Sequence, residues 1–171
     1  MKPRITPFLW FDDQAEEAAA FYLSIFPNSR ILDTIRYNAS GPGPTDSVMT
    51  IRFELDGAEF VALNGGPEHF GFDESVSFVI DCPTEADVDH YWEALLRDGG
   101  EEIACGWLKD RYGLRWQVVP TELPAVLADP DPERANRAMQ AMLGMKKLDI
   151  RAMRAAADSP PNSSLDPGTT V

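Results

Sequence analysis

The sequence predicts an α+β fold: two successive modules of strand, helix and further strands, followed by C-terminal helices. Three observations carry that expectation. The order strand, helix, strands occurs twice, with about 70 residues between the two helix-opening strands. Each of the two helices is bounded by its own start and stop signals. After Pro120 the alternation typical of strands gives way to helical spacing.

The elements follow in order. Residues 5–11 (Ile-Thr-Pro-Phe-Leu-Trp-Phe) read as a buried strand with Pro7 near its start. Asp12 and Asp13 then offer N-caps, and Glu16 follows Asp13 at capping-box spacing. Ala15, Ala18, Ala19, Tyr22, Leu23 and Phe26 recur on one helical face until Pro27-Asn28 stops the helix. Strand-like runs cover residues 30–37, 47–55 and 59–63; the first gap between them is rich in Gly and Pro, and Asp56-Gly57 signals a hairpin. The second round opens with a strand over 75–81, and Thr84 with Asp87 forms a capping box for the helix that buries Val88, Tyr91, Trp92, Leu95 and Leu96. Gly99-Gly100 ends that helix, and strands follow over 102–109 and 115–120.

Beyond Pro120, Asp131-Pro132 is an N-cap followed by Pro at the first helical position. Ala135, Ala138, Met139, Met142 and Leu143 make one apolar face, and a further helix is predicted over 148–157. The predicted organisation is therefore a first module over 1–67, a second over 68–121, a helical extension over 122–157 and a disordered tail over 158–171.

Charge excludes several partner classes. The chain carries 15 basic and 28 acidic side chains, a formal charge of −13. Nucleic-acid phosphates and anionic membrane surfaces both demand Lys and Arg, so neither is an expected partner. No apolar run reaches the roughly 18 residues of a membrane span. The first residues lack the apolar core of a signal peptide, and Cys82 and Cys105 have no neighbours at zinc spacing. A reduced, cytoplasmic protein is expected.

Several phrases carry a resemblance: Pro7-Phe-Leu-Trp-Phe11, Ala18-Ala-Ala-Phe-Tyr22 with Ile25-Phe-Pro-Asn28, Leu63-Asn-Gly-Gly66, Val88-Asp-His-Tyr-Trp92, and Cys105-Gly-Trp-Leu-Lys-Asp-Arg-Tyr-Gly113 leading into Trp116-Gln-Val-Val-Pro120. Together they resemble the PhnB-like branch of the vicinal-oxygen-chelate superfamily, which also holds glyoxalases, extradiol dioxygenases and bleomycin-resistance proteins. The resemblance implies two βαβββ modules whose curled mixed sheets surround a cavity, and that metal-using members place ligands on the first and last strands of each module. On this chain those positions fall at Pro7, at or near Ser75, at Gln117 after Asp110-Arg-Tyr-Gly113, and within residues 60–64, with Glu59 just before. Pro has no side-chain donor, and Ser and a neutral amide are poor ligands for a divalent cation. His69 and His90 fall outside these positions. No metal and no cofactor are therefore expected.

Members of this family are also labelled 3-demethylubiquinone-9 3-methyltransferase. That chemistry ordinarily uses a Gly-rich loop between a strand and a helix. Neither Gly41-Pro42-Gly43 nor Gly65-Gly66-Pro67 runs into a helix.

The candidate cavity lining is Leu9, Phe11, Asn64, Ser75, Ser77, Cys105, Trp107 and Gln117. Gln117 reads either as a polar ligand contact or as a buried amide satisfied by backbone. Ser75 and Ser77 alternate onto one strand face, and so do Cys105 and Trp107. Trp107 can stack on a planar ligand or fill the core. Asn64 either reaches a ligand or takes a left-handed turn conformation, and Asp110 shapes its turn. No catalytic residue can be named. The expectation is a metal-free protein that binds an unidentified small organic ligand and forms a homodimer through its Met-rich helical extension. Its rivals are an enzyme, glyoxalase- or dioxygenase-like or the labelled methyltransferase, and a dimeric interaction protein.

Overall fold

The computed structural model describes residues 5–159, which form two compact units meeting at Ser75 and Val76 in the sequence. The first unit contains β1 (Phe8–Phe11), α1 (Ala15–Ile25), β2 (Arg30–Arg36), β3 (Val48–Leu55) and β4 (Ala58–Asn64). Its sheet has the order β1-β4-β3-β2, with β1 parallel to β4 and the other pairs antiparallel. The second unit repeats this plan with β5 (Phe78–Cys82), α2 (Glu85–Leu96), β6 (Glu101–Glu102), β7 (Trp107–Lys109) and β8 (Arg115–Pro120). The order is β5-β8-β7-β6, with β5 parallel to β8. The fold is α+β, with two unclosed mixed sheets.

In the first unit the small side chains of Ala15, Ala18 and Ala19 bring α1 close to the sheet, where all three are buried. Tyr22 stacks on Phe53 with ring centroids 6.4 Å apart, and Phe53 on Phe60 at 5.7 Å. Burying a ring such as Phe53 contributes about 2–3 kcal/mol. The Asp56-Gly57 hairpin is present, with φ of +44° and +88°, the left-handed pair that a two-residue turn between twisted strands requires.

In the second unit α2 lies against β5, β7 and β8 and buries Val88, Trp92 and Leu95. Its predicted capping box is formed: Thr84 Oγ1 accepts from Asp87 N, and the Asp87 carboxylate accepts from Thr84 N. The strand expected over 102–109 is instead two short strands. Cys105 and Gly106 interrupt it with φ of +57° and +83°. The cause is a close approach. A Cβ on Gly106 would stand 2.8 Å from Leu148 Cδ1 and 3.0 Å from the Val118 carbonyl, and the Cys105 and Gly106 N–H groups donate to Met145 and Lys146.

That contact docks the helical extension onto the second unit. It comprises α3 (Leu123–Leu127), which the sequence pattern did not reveal, α4 (Pro132–Leu143) and α5 (Ile150–Asp158). Val126, Ala138, Met153 and Ala157 form its own small core. Arg137 clamps the end of α5, its Nε and Nη2 donating to the Ala157 carbonyl at 3.0 and 2.7 Å. Asp131 and Asp149 cap α4 and α5. Most of the expected tail, residues 160–171, lies outside the described residues. No helix among those described is long and apolar enough to cross a membrane.

Candidate functional site

Alternation gives each sheet a helix-covered face and an open face. In the first unit Leu9 and Phe11 are buried, at 5% and 4% exposure, in register with Ala62 and Asn64, on the side where Phe53 meets Tyr22 of α1. The expected lining residues Leu9 and Phe11 are therefore core residues beneath α1. The open face of β1 carries Phe8 and Trp10. Trp10 lies over Gly65, donates from Nε1 to the Gly66 carbonyl at 2.9 Å, and meets Phe70 edge-on.

Asn64 also proves structural. Its Oδ1 accepts from Ala15 N at 2.8 Å, its Nδ2 donates to the Val48 carbonyl at 3.0 Å, and its own carbonyl accepts from Tyr37 Oη at 2.6 Å. It is absent from the positive-φ residues, so the expected left-handed conformation does not occur. Asn64 thus supplies the first backbone N–H of α1 with the acceptor that Asp13 and Glu16 were expected to provide; Gln14, the N-cap, makes no side-chain capping bond.

The second sheet brings part of the predicted set together. Ser77 and Gln117 share the open face, and Gln117 Nε2 donates to Ser77 Oγ at 2.9 Å. In register, Gln117 stands between Val79 of β5 and Trp107 of β7. All four are at least partly exposed, Val79 to 56%. Ser75 does not join them. It precedes β5, is exposed, and is bound through both N–H and Oγ to the Asp73 carboxylate. Cys105 does not share a strand face with Trp107. It lies in the turn, with Sγ directed at the Met142 carbonyl.

Two residues on this face escaped the sequence reading. Lys109 stands directly opposite Arg115 across β7 and β8, beside the Trp107–Gln117 pair. Lys109 Nζ pairs with Glu101 Oε1 at 2.7 Å, and Arg115 Nη1 donates to the Gly113 carbonyl. Alternation along Arg115–Pro120 was the signal that could have placed Arg115 with Gln117. The turn beneath this end is held by Asp110, only 1% exposed. Its Oδ1 accepts from Tyr112 N and Leu114 N, and its Oδ2 from Trp116 Nε1 at 2.9 Å. Asp110 shapes its turn, as the sequence predicted.

The donor set does not fit a divalent metal. Alternation puts Phe8, not Pro7, on the open side of β1, and neither has a donor atom. Val61 and Leu63 present only hydrocarbon there. Ser75 is committed to Asp73, and Gln117 offers an amide already bonded to Ser77. The His69 side chain is 92% exposed beside Glu68, and His90 is exposed beside Tyr91. Among the described residues no three His, Cys, Asp or Glu side chains are grouped to hold a metal ion.

A cavity of about 400 Å³ lies elsewhere, between α2 and the helical extension, lined in part by Cys82, Pro120 and Leu148. Its charges pair across it, Lys147 with Asp89, Arg151 with Glu85 and Arg154 with Glu122, as expected of a seam between packed elements. Burial, and then Asp87, push the Cys82 thiol up to about 11, which disfavours its thiolate.

Two βαβββ units, each with a helix on one face of a mixed sheet, define a protein of the vicinal-oxygen-chelate superfamily. Residues 3–119 match the family described as 3-demethylubiquinone-9 3-methyltransferase, and the chain belongs to that PhnB-like family. It is 35% identical to the PhnB protein of Bacillus cereus, which is described by the same activity; the match covers 69% of this chain and 99% of that one, with a TM-score of 0.63. Protein PA1353 of Pseudomonas aeruginosa is 19% identical over 70% of this chain and 98% of that one, with a TM-score of 0.58. A fosfomycin resistance protein, FosX of Listeria monocytogenes, is 15% identical over 68% and 88%, with a TM-score of 0.50. These last two are likenesses of fold. No curated protein matches the chain.

Proposed function

We propose that this protein binds a small organic ligand on the open face of its second sheet, without a metal as mediator. One observation carries the reading: the hydrogen-bonded Ser77–Gln117 pair stands on the open face flanked by Val79 and Trp107, and the family resemblance implies a metal-ligand position at Gln117 in metal-using members. An amide and a hydroxyl between an indole and an aliphatic side chain suit a ligand with a planar apolar body and a polar edge. The methyl transfer in the family's description receives no support from the architecture. Gly41 and Gly65 precede no helix, and both sheets lack the strand–glycine loop–helix unit that cradles a nucleotide-like donor.

The test is a fragment screen by saturation-transfer NMR on the full chain, with Trp107→Ala and Gln117→Leu as comparators. Aromatic fragments should bind the unaltered protein and lose most of their signal with either variant. Binding that both variants retain would sink the proposal. Near-stoichiometric zinc, nickel or iron in untagged protein after dialysis would remove its metal-free part.

The protein is further proposed to act as a cytoplasmic homodimer. Met139 and Leu143, one helical turn apart on α4, are 39% and 62% exposed and support a second copy of the chain as partner. Leu143→Asp should shift sedimentation to the monomer. An unchanged dimer would place the interface elsewhere.

A further inference from the structure

We infer that the cavity between α2 and the helical extension is a second binding site, one that takes a neutral aliphatic molecule. Protein interiors pack with few gaps larger than a water molecule. The space here, about 400 Å³, instead falls within the range of about 300–1,000 Å³ that small-molecule pockets occupy. It lies wholly within the second unit. Its apolar lining comes from three places in that unit. Cys82 and Pro120 stand opposite each other at the ends of β5 and β8, Val88 comes from α2, and Leu148 and Ile150 flank the start of α5. Cys82, Val88, Pro120 and Leu148 are buried and form the floor.

The rim is charged, but its charges cancel. Lys147, Arg151 and Arg154 of the extension pair with Asp89, Glu85 and Glu122 across the space. All six side chains are at least 40% exposed, so these pairs lie at the mouth. Exposed pairs contribute little net stability and can part to admit a guest. The other polar side chains of the lining are also committed, Thr84 to capping α2 and Asp149 to capping α5. A charged head group would have to break a pair and shed its own hydration. No aromatic ring among the described residues lines the space, so a planar body finds no stacking partner there. What remains to be covered is aliphatic surface, and a saturated chain covers it at the least cost in lost polar contacts. The site shares no residue with the Ser77–Gln117 face and does not rest on that reading.

The experiment is an NMR titration of the full chain, methyl-labelled at Ile, Leu and Val, with 1-octanol, octanoate and octylammonium. 1-Octanol should shift the Val88, Leu148 and Ile150 methyls along one saturable curve and leave those of Val79, on the open sheet face, in place. It should bind about tenfold more tightly than either charged analogue. Ile150→Trp, at a partly exposed lining position, should fill the space and weaken 1-octanol about tenfold, with circular dichroism confirming that the variant is folded. The assignment would be overturned by shifts confined to Val79, by no saturable shift at the three lining residues, or by a charged analogue that binds as tightly as 1-octanol. These readouts on the unaltered protein decide the matter even if the variant does not fold. Undiminished affinity in a folded Ile150→Trp would overturn it as well.

Discussion

The two units stabilise the same kind of polar weak point by different means. In the second unit the helix cap and the Asp110 turn are local solutions. Thr84 and Asp87 cap α2 from within its own first turn, and Asp110 gathers donors from residues 112, 114 and 116. In the first unit one residue, Asn64 at the end of β4, caps α1 across 49 positions, holds the start of β3 across 16 and receives Tyr37 across 27. The cap of α2 therefore needs no distant strand. The cap of α1 exists only once β3 and β4 are in register, which ties helix stability to sheet assembly.

Substitutions can break or sharpen that contrast. The largest effect should come from Asp110→Ala, which strands a cluster of buried donors; a loss of about 4 kcal/mol is expected in urea unfolding followed by circular dichroism. Asn64→Ala should cost about 2 kcal/mol, more than a helix cap alone, because the Val48 carbonyl loses its partner too. Thr84→Ala should cost about 1 kcal/mol, the ordinary value of a local cap. If Asn64→Ala cost no more than Thr84→Ala, the contrast between the units would disappear.

Smaller effects concern ionisation. Lys146, and then the Trp92 indole, hold the Glu102 carboxyl below the usual carboxylate range. A carboxyl depressed in the folded state contributes stability above its unfolded pKa, and that contribution is lost as pH falls through its folded value. Lys146→Gln should move the Glu102 midpoint upward in a carbon-detected NMR titration; an unmoved midpoint would remove Lys146 as the cause. Smallest in effect on the fold, alkylation of Cys82 by iodoacetamide at pH 8 should be negligible until the protein unfolds, because its thiol stays protonated there.

The same contrast explains what could be read in advance. The capping box at Thr84, the turns at Asp56-Gly57 and Asp110, and the Asp131-Pro132 start all depend on residues a few positions apart, so their spacing revealed them. The role of Asn64 depends on a partner half a unit away, and nothing around Leu63-Asn64-Gly65 announces it. The interruption at Cys105-Gly106 was hidden for the same reason, since it answers to Leu148, 42 positions on. Of the expected cavity lining, alternation placed Ser77 on the open face of β5, whereas Gln117 was singled out by the family resemblance. Leu9 and Phe11 were assigned to the wrong side because an apolar strand gives alternation no polar face to mark.

By itself the sequence determined the order of elements, their repetition, and the local caps and turns. Each of these follows from steric and hydrogen-bonding preferences over short stretches of chain. Only the tertiary structure decided which face of each strand lies beneath a helix, that Asn64 would start α1, and that Lys109 would stand opposite Arg115. Those outcomes depend on strand register, and register is set by the packing of a whole sheet against its helix.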